Sequence, residues 1–206
     1  RTALTIAGSD SGGGAGIQAD LKTFAAFGVF GTSAITAITA QNTLGVTGVH
    51  AVPGAMIRAQ IDAVISDIGG GAVKIGMLAT ADIIRVVADA IDAHRLSPVV
   101  LDPVMVAKGG SRLLEADAVE ALRSLLLPRA AVVTPNLGEA EVLTGMTVRD
   151  TAAMEAAARQ IVAAGAAAAL VKGGHLVSSQ IVDVLWDGEA MRHFESARID
   201  TPHTHG

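Results

Sequence analysis

Cysteine and tyrosine are absent from this chain, and 4 phenylalanines and 1 tryptophan are its only aromatic residues among 206. Without thiols there is no disulfide framework and no thiolate metal site. So few rings cannot build a base-stacking platform for single-stranded nucleic acid. Basic charge is also scarce: 15 Lys and Arg stand against 20 Asp and Glu, a net charge of −5, with a pI near 5.6. The cations are scattered singly, so no basic stripe is available to neutralise phosphates, and nucleic acid is not an expected partner. Long apolar runs are missing as well. The longest, IVAAGAAAALV from Ile161 to Val171, is mostly alanine and falls short of the roughly 20 residues that span a bilayer. The start of the chain has no charged segment, apolar core and cleavage site in sequence, so no secretory signal is visible there. A cytoplasmic enzyme with no membrane partner is the expectation.

What the chain has is apolar bulk, with half its residues hydrophobic, enough to bury the core of a single domain over 1–206. Apolar runs too short for helices recur: ALTIAG (3–8), SAITAIT (33–39), AVKIGML (72–78), PVVLDPV (98–104), AAVVT (130–134) and AALVKGG (168–174). They read as buried strands. Between most of them, apolar residues repeat at three-to-four spacing over 56–68, 81–94, 117–127 and 151–165, which predicts helices. Strands alternating with helices make βαβ units, hence an α/β fold with a parallel sheet covered on both faces. The stretch 181–199 breaks this rhythm and reads as two antiparallel strands around a turn at Asp187-Gly188.

Glycine is concentrated in AGSDSGGGAGIQAD (7–20). A phosphate loop of the G-x-x-x-x-G-K-[ST] type is excluded, because no Gly-Lys pair stands there. A dinucleotide fingerprint begins at Gly12 and Gly14, but Ile17 occupies the third glycine's place. What remains is a strand-to-helix turn whose glycines permit positive φ and close approach. Its backbone N–H groups form a cradle for an anionic or polar ligand, unless the turn is purely structural.

Ligands of open α/β sheets bind outside the carboxyl ends of the strands, and the polar residues of this chain fall at those ends. Gln41 lies in a polar loop after the second strand, Met77 after the third and Asp102 after the fourth. Asn136 and Glu139 follow the fifth, and Lys172 the sixth. Each has a plain structural reading. Asn136 and Glu139 have the spacing of a helix-capping box, Asp102 can cap a turn, and Asp20 and Lys22 lie early in the first helix, where an acid favours the dipole. Lys172 needs an anionic partner if buried. His175, His203 and His205 do not have zinc-ligand spacing.

Six ordered blocks, AGSDSGGGAGIQADLKTF, AQNTLGV, KIGML, LDPVMVAKGG, TPNLGEAEVLTG and VKGGH, together with the closing HTHG, resemble the hydroxymethylpyrimidine and phosphomethylpyrimidine kinases of thiamine biosynthesis. The likeness runs over essentially the whole chain. That family is ribokinase-like, so the resemblance implies a three-layer αβα sandwich with a mostly parallel central sheet and a small antiparallel edge. It implies ATP and Mg²⁺ as cofactors, a small-molecule pyrimidine as substrate, and a homodimer as the oligomeric state. The opening loop would then hold the phosphate acceptor, with Gly8, Gly12, Gly13 and Gly14 against the hydroxymethyl arm or its phosphate. Asp20 and Gln41 would read the ring, and Met77 would lie against it. On the nucleotide side would stand Asp102, Asn136, Glu139, Lys172, Thr204 and Gly206, with Glu139 meeting magnesium through water. The family's HTHG leads into a Gly-Thr-Gly-Cys anion hole carrying its catalytic base. This sequence stops at Gly206, so no residue present is assigned as base, and poor phosphoryl transfer is expected of the chain as it stands. The alternatives are a pyridoxal or pyridoxine kinase and a catalytically inactive pyrimidine-binding protein.

Overall fold

The computed structural model describes residues 1–105, 116–174 and 180–199. In chain order its elements are β1 (Thr2–Ala7), α1 (Gly16–Ala26), β2 (Phe30–Ile35), β3 (Ala37–Asn42), β4 (Gly45–Ala51), α2 (Gly54–Asp67), β5 (Val73–Ile75) and α3 (Ala81–His94). They continue with β6 (Val99–Leu101), α4 (Ala116–Ala121), β7 (Val132–Val133), α5 (Leu137–Thr144), α6 (Thr151–Ala163), β8 (Ala169–Val171), β9 (Gln180–Trp186) and β10 (Met191–Ala197).

Eight strands form one sheet in the order β10-β9-β8-β7-β6-β5-β1-β2. The pairs from β2 to β8 are parallel, while β9 and β10 run antiparallel at one edge. Helices cover both sides, which makes the three-layer α/β architecture expected of a ribokinase-like kinase. The apolar runs become strands because both faces are covered: Leu4, Ile6, Ile75 and Leu101 are all but fully buried. In α3 the apolar residues Ile83, Ile84, Val87, Ala88 and Ile91 fall on one buried stripe, the arrangement that three-to-four spacing dictates. The Thr80 hydroxyl caps that helix by accepting from Ile83 N.

Two expectations are corrected. The run 33–39 is not one strand but parts of two, because the chain breaks at Thr36. The Thr36 hydroxyl donates to Met77 O at 2.6 Å, and its backbone N–H donates to Ala7 O at 3.0 Å. Residues from Ala37 onward leave the main sheet and pair with β4 as a separate antiparallel ribbon, so Gln41 lies in β3 and not in a loop. The predicted helix 117–127 is α-helical only through α4, then widens to a π-turn at Leu122–Leu126 and tightens at Leu127–Arg129, where Pro128 cannot donate to a helical ladder.

The strand order reverses at β1. The chain passes from β1 to β2 on one side, then returns to β5 on the other. With right-handed crossovers this puts α1 on the opposite face from α2 and α3. A crevice opens at such a reversal, outside the carboxyl ends of the strands. The residues there are Gly8 and Ser9 after β1, and Gly76 and Met77 after β5.

Candidate active site

A cavity of about 300 Å³ opens at that point and runs along the strand ends as far as β8. At one end it is lined by Gly8, Gly14, Asp20, Gln41 and Met77, and at the other by Asp102, Asn136, Glu139 and Lys172. Nine residues picked from sequence thus share one cavity. Gly12 and Gly13 are not in its lining. Thr204 and Gly206 lie outside the described residues, as do His175, His203 and His205.

The glycine loop holds an anion, and that anion is the protein's own. The carboxylate of Asp10, 2 % exposed, accepts from Gly12 N at 2.8 Å through Oδ1, and from Gly14 N at 2.9 Å and Ala15 N at 2.8 Å through Oδ2. Gly13 N donates to Asp10 O. The amides that sequence reasoning offered to a ligand are therefore already satisfied, and the loop is a rigid wall instead of an open cradle. Gly16 starts α1 with φ +56, and a Cβ there would stand 2.4 Å from Gly8 O. Only glycine allows this turn, and it brings Ile17 N within 3.0 Å of Gly8 O.

The loop is stitched to the β3 ribbon. Thr39 Oγ1 donates to Ser9 O at 2.7 Å, and Ser11 Oγ donates to Gln41 O at 2.6 Å. The Gln41 side-chain oxygen lies 3.3 Å from Thr39 Oγ1, which leaves the amide's N–H₂ as the end offered to a ligand. Gly8 faces Met77: a Cβ on Gly8 would lie 2.7 Å from the Met77 methyl, so the thioether packs directly on the backbone.

Asp20 faces the sheet and not solvent. Its Oδ2 accepts from Thr5 Oγ1 at 2.6 Å and from Lys74 Nζ at 3.1 Å. The helix-dipole reading of Asp20 is corrected, since the first turn of α1 contains no acid. Lys22 instead donates to Gly13 O at 2.6 Å.

At the other end, half-buried Lys172 has an anionic partner: Nζ lies 3.0 Å from Asp102 Oδ1. Thr134 Oγ1 also donates to that oxygen, at 3.3 Å. Asn136 and Glu139 form the capping box of α5, Glu139 N donating to Asn136 Oδ1 at 3.0 Å and Asn136 N to Glu139 Oε2 at 2.8 Å. The pair is a capping box and also lines the cavity. Glu139 is 6 % exposed. Burial pushes its carboxyl up to about 7, and the Asp102 carboxylate adds to the rise, while the backbone N–H of Asn136 and the Lys172 ammonium oppose it.

Two residues at the site went unread in the sequence, and both carry a signal. Asp10 precedes a glycine run, the pattern of a side chain that bonds backbone N–H groups a few residues on. Lys74 sits in the middle of the apolar run AVKIGML, where an ammonium needs a partner as much as Lys172 does.

A family model described as phosphomethylpyrimidine kinase matches residues 10–206. A hydroxymethylpyrimidine/phosphomethylpyrimidine kinase of Bacillus subtilis (strain 168) is 53% identical over 205 residues, covering 99% of this chain and 76% of that protein. A thiamine biosynthesis bifunctional protein of Geobacter sulfurreducens is 52% identical over 98% of this chain, which spans 41% of that longer protein. Among solved structures, a phosphomethylpyrimidine kinase from Clostridium difficile 630 superposes with a TM-score of 0.88 at 45% identity, covering 95% of this chain and 84% of its own. An ADP complex of a Bacillus subtilis pyridoxal kinase superposes with a TM-score of 0.92 at 46% identity, covering 100% of this chain and 79% of its own. Matched by that family model over residues 10–206 and by a relative 53% identical over 99% of its length, the chain belongs to the phosphomethylpyrimidine kinase family.

Proposed function

We propose that the chain is the kinase domain that phosphorylates 4-amino-5-hydroxymethyl-2-methylpyrimidine, and then its monophosphate, with ATP in thiamine biosynthesis. The observation that carries this is the two-ended cavity: one end at Gly8, Gln41 and Met77, where Asp20 is already paired with Lys74, and the other at Asp102, Glu139 and Lys172. Phosphoryl transfer needs positioning and charge neutralisation more than covalent help from the protein. The first end holds the acceptor hydroxyl in place. At the second, Lys172 neutralises phosphate oxygens while Asp102, itself held by the Thr134 hydroxyl, holds its ammonium.

Mg²⁺ suits the second end. Glu139 would hold the ion through water, together with the nucleotide's phosphates. A hydrated Mg²⁺ held by one or two carboxylates and phosphates is its usual state in such sites. When bound, it would supply charge stabilisation to the transferring group. Glu139, whose carboxyl burial raises to about 7, is the residue that would face the hydrated ion. Among the described residues no helix is long and apolar enough to cross a membrane, and we take the cytoplasm as the place of action.

The test is ATP turnover with hydroxymethylpyrimidine, its monophosphate and pyridoxal assayed side by side, using the chain together with the C-terminal residues of its family. The pyrimidines are expected to turn over at least about tenfold more efficiently than pyridoxal, a difference of about 1.4 kcal/mol in transition-state binding. A preference for pyridoxal, the substrate suggested by the likeness to a pyridoxal kinase, would keep the fold and change the acceptor.

A further inference from the structure

The floor of the acceptor end carries an ion pair that the fold does not need. Lys74 is the central residue of β5, and its register partner across the parallel pair is Thr5 of β1. Residues two apart on a strand point to the same face, so the Lys74 side chain runs toward Gly76. A Cβ on Gly76 would stand 3.0 Å from Nζ. The missing side chain is what lets the ammonium lie over the strand end, beneath the cavity. There it meets Asp20, with 23 % of the lysine side chain and 15 % of the aspartate side chain exposed, and both residues line the cavity. Buried ion pairs are weak contributors to stability, and an apolar pair of similar volume often does as well. A lysine and an aspartate converging under a ligand-sized cavity therefore call for a ligand.

Both donors, Thr5 and Lys74, bind the same oxygen, Oδ2. Among the described residues Oδ1 takes no hydrogen bond. We infer that Lys74 is a positioning residue for substrate choice: with Thr5 it pins Oδ2 of Asp20, so that Oδ1 stands as a fixed acceptor for an N–H group on the ring of the phosphate acceptor. The floor then selects rings bearing an amino donor. This rests on the pyrimidine-kinase reading, in which Asp20 reads the ring, and adds the residue that orients it.

Calorimetric titration of two ligands tests it: hydroxymethylpyrimidine, and the same pyrimidine with hydrogen in place of its amino group. The wild-type protein is expected to prefer the amino ligand at least about tenfold, the worth of one charge-assisted hydrogen bond. In Lys74→Met that preference shrinks to about threefold or less, through loss of affinity for the amino ligand alone. A purely structural lysine would weaken both ligands equally, and that result overturns the inference, as does an unchanged preference. Should Lys74→Met fail to fold, Thr5→Val removes the other donor to Oδ2 and must lower the preference in the same sense; if it does not, the inference falls. A wild-type protein that binds neither pyrimidine removes the functional reading and this inference with it. Wild-type preference for the amino ligand combined with an indifferent Lys74 removes only the latter.

Discussion

Lys172 and Asp102 meet at 3.0 Å although they follow strands that are not neighbours: β6 ends before Asp102, β8 ends before Lys172, and β7 runs between them. The gap is closed by Thr134, which follows β7 and donates to the same carboxylate oxygen. Three strand ends thus meet at one carboxylate at the charged end of the cavity. Replacing Lys172 by Met leaves Asp102 with the Thr134 hydroxyl. The pair is partly exposed, 32 % and 25 % by side chain, so the change in stability is about 1 kcal/mol or less. Nucleotide affinity falls on the order of tenfold, measured by titration with ADP and Mg²⁺, while pyrimidine affinity holds.

Glu139 makes stability depend on pH in the sense opposite to most carboxylates. Its folded value, about 7, lies above its ordinary value of 4.5, so the folded state binds the proton more tightly than the unfolded one. The contribution is fully present below 4.5 and is lost as pH rises through about 7. Glu139→Gln keeps the acceptor for Asn136 N without the titration. Urea unfolding from pH 4 to 8 should therefore show wild type losing on the order of 3 kcal/mol relative to Glu139→Gln. A constant difference between the two across that range would contradict the assignment.

Asp10 holds the glycine loop from within. Asp10→Ala strands the N–H groups of Gly12, Gly14 and Ala15 without their acceptor. The expected loss is about 2 kcal/mol or more of stability, read from denaturant midpoints. Added phosphate or sulfate should recover part of it, by entering the anion position the carboxylate leaves.

Gly8→Ala separates packing from binding. The added Cβ would collide at 2.7 Å with the Met77 methyl, the far end of a flexible side chain that can turn aside into the cavity. The melting temperature is expected to move by only a few degrees. Pyrimidine affinity should drop several-fold as Met77 occupies ligand space, and Gly8→Ala combined with Met77→Ala should regain part of it.

The sheet was legible from the sequence because its strands are covered on both faces and read as unbroken apolar runs. The bounds of α3 came out as read, since its apolar stripe is complete and Thr80 caps it. The β3–β4 ribbon was not legible. Its residues are mostly half-exposed or exposed, and its departure from β2 depends on bonds from Thr36 to Met77 and Ala7, distant in sequence. The site divides in the same way. Lys172 is legible because an ammonium directly after an apolar strand needs an anionic partner, and Lys74, inside the apolar run AVKIGML, carries the same signal. That Asp10 fills the glycine loop's amides depends on backbone geometry that spacing alone does not express.

The central claim is that one cavity holds acceptor and nucleotide at separate ends. It is tested most directly by a crossed titration, with hydroxymethylpyrimidine and with ADP plus Mg²⁺, on wild type, Asp20→Asn and Lys172→Met. The account predicts that Asp20→Asn weakens the pyrimidine about tenfold and leaves the nucleotide within about twofold, and that Lys172→Met does the reverse. Asp20→Asn weakening the nucleotide, or Lys172→Met weakening the pyrimidine, by as much as its own ligand would contradict it.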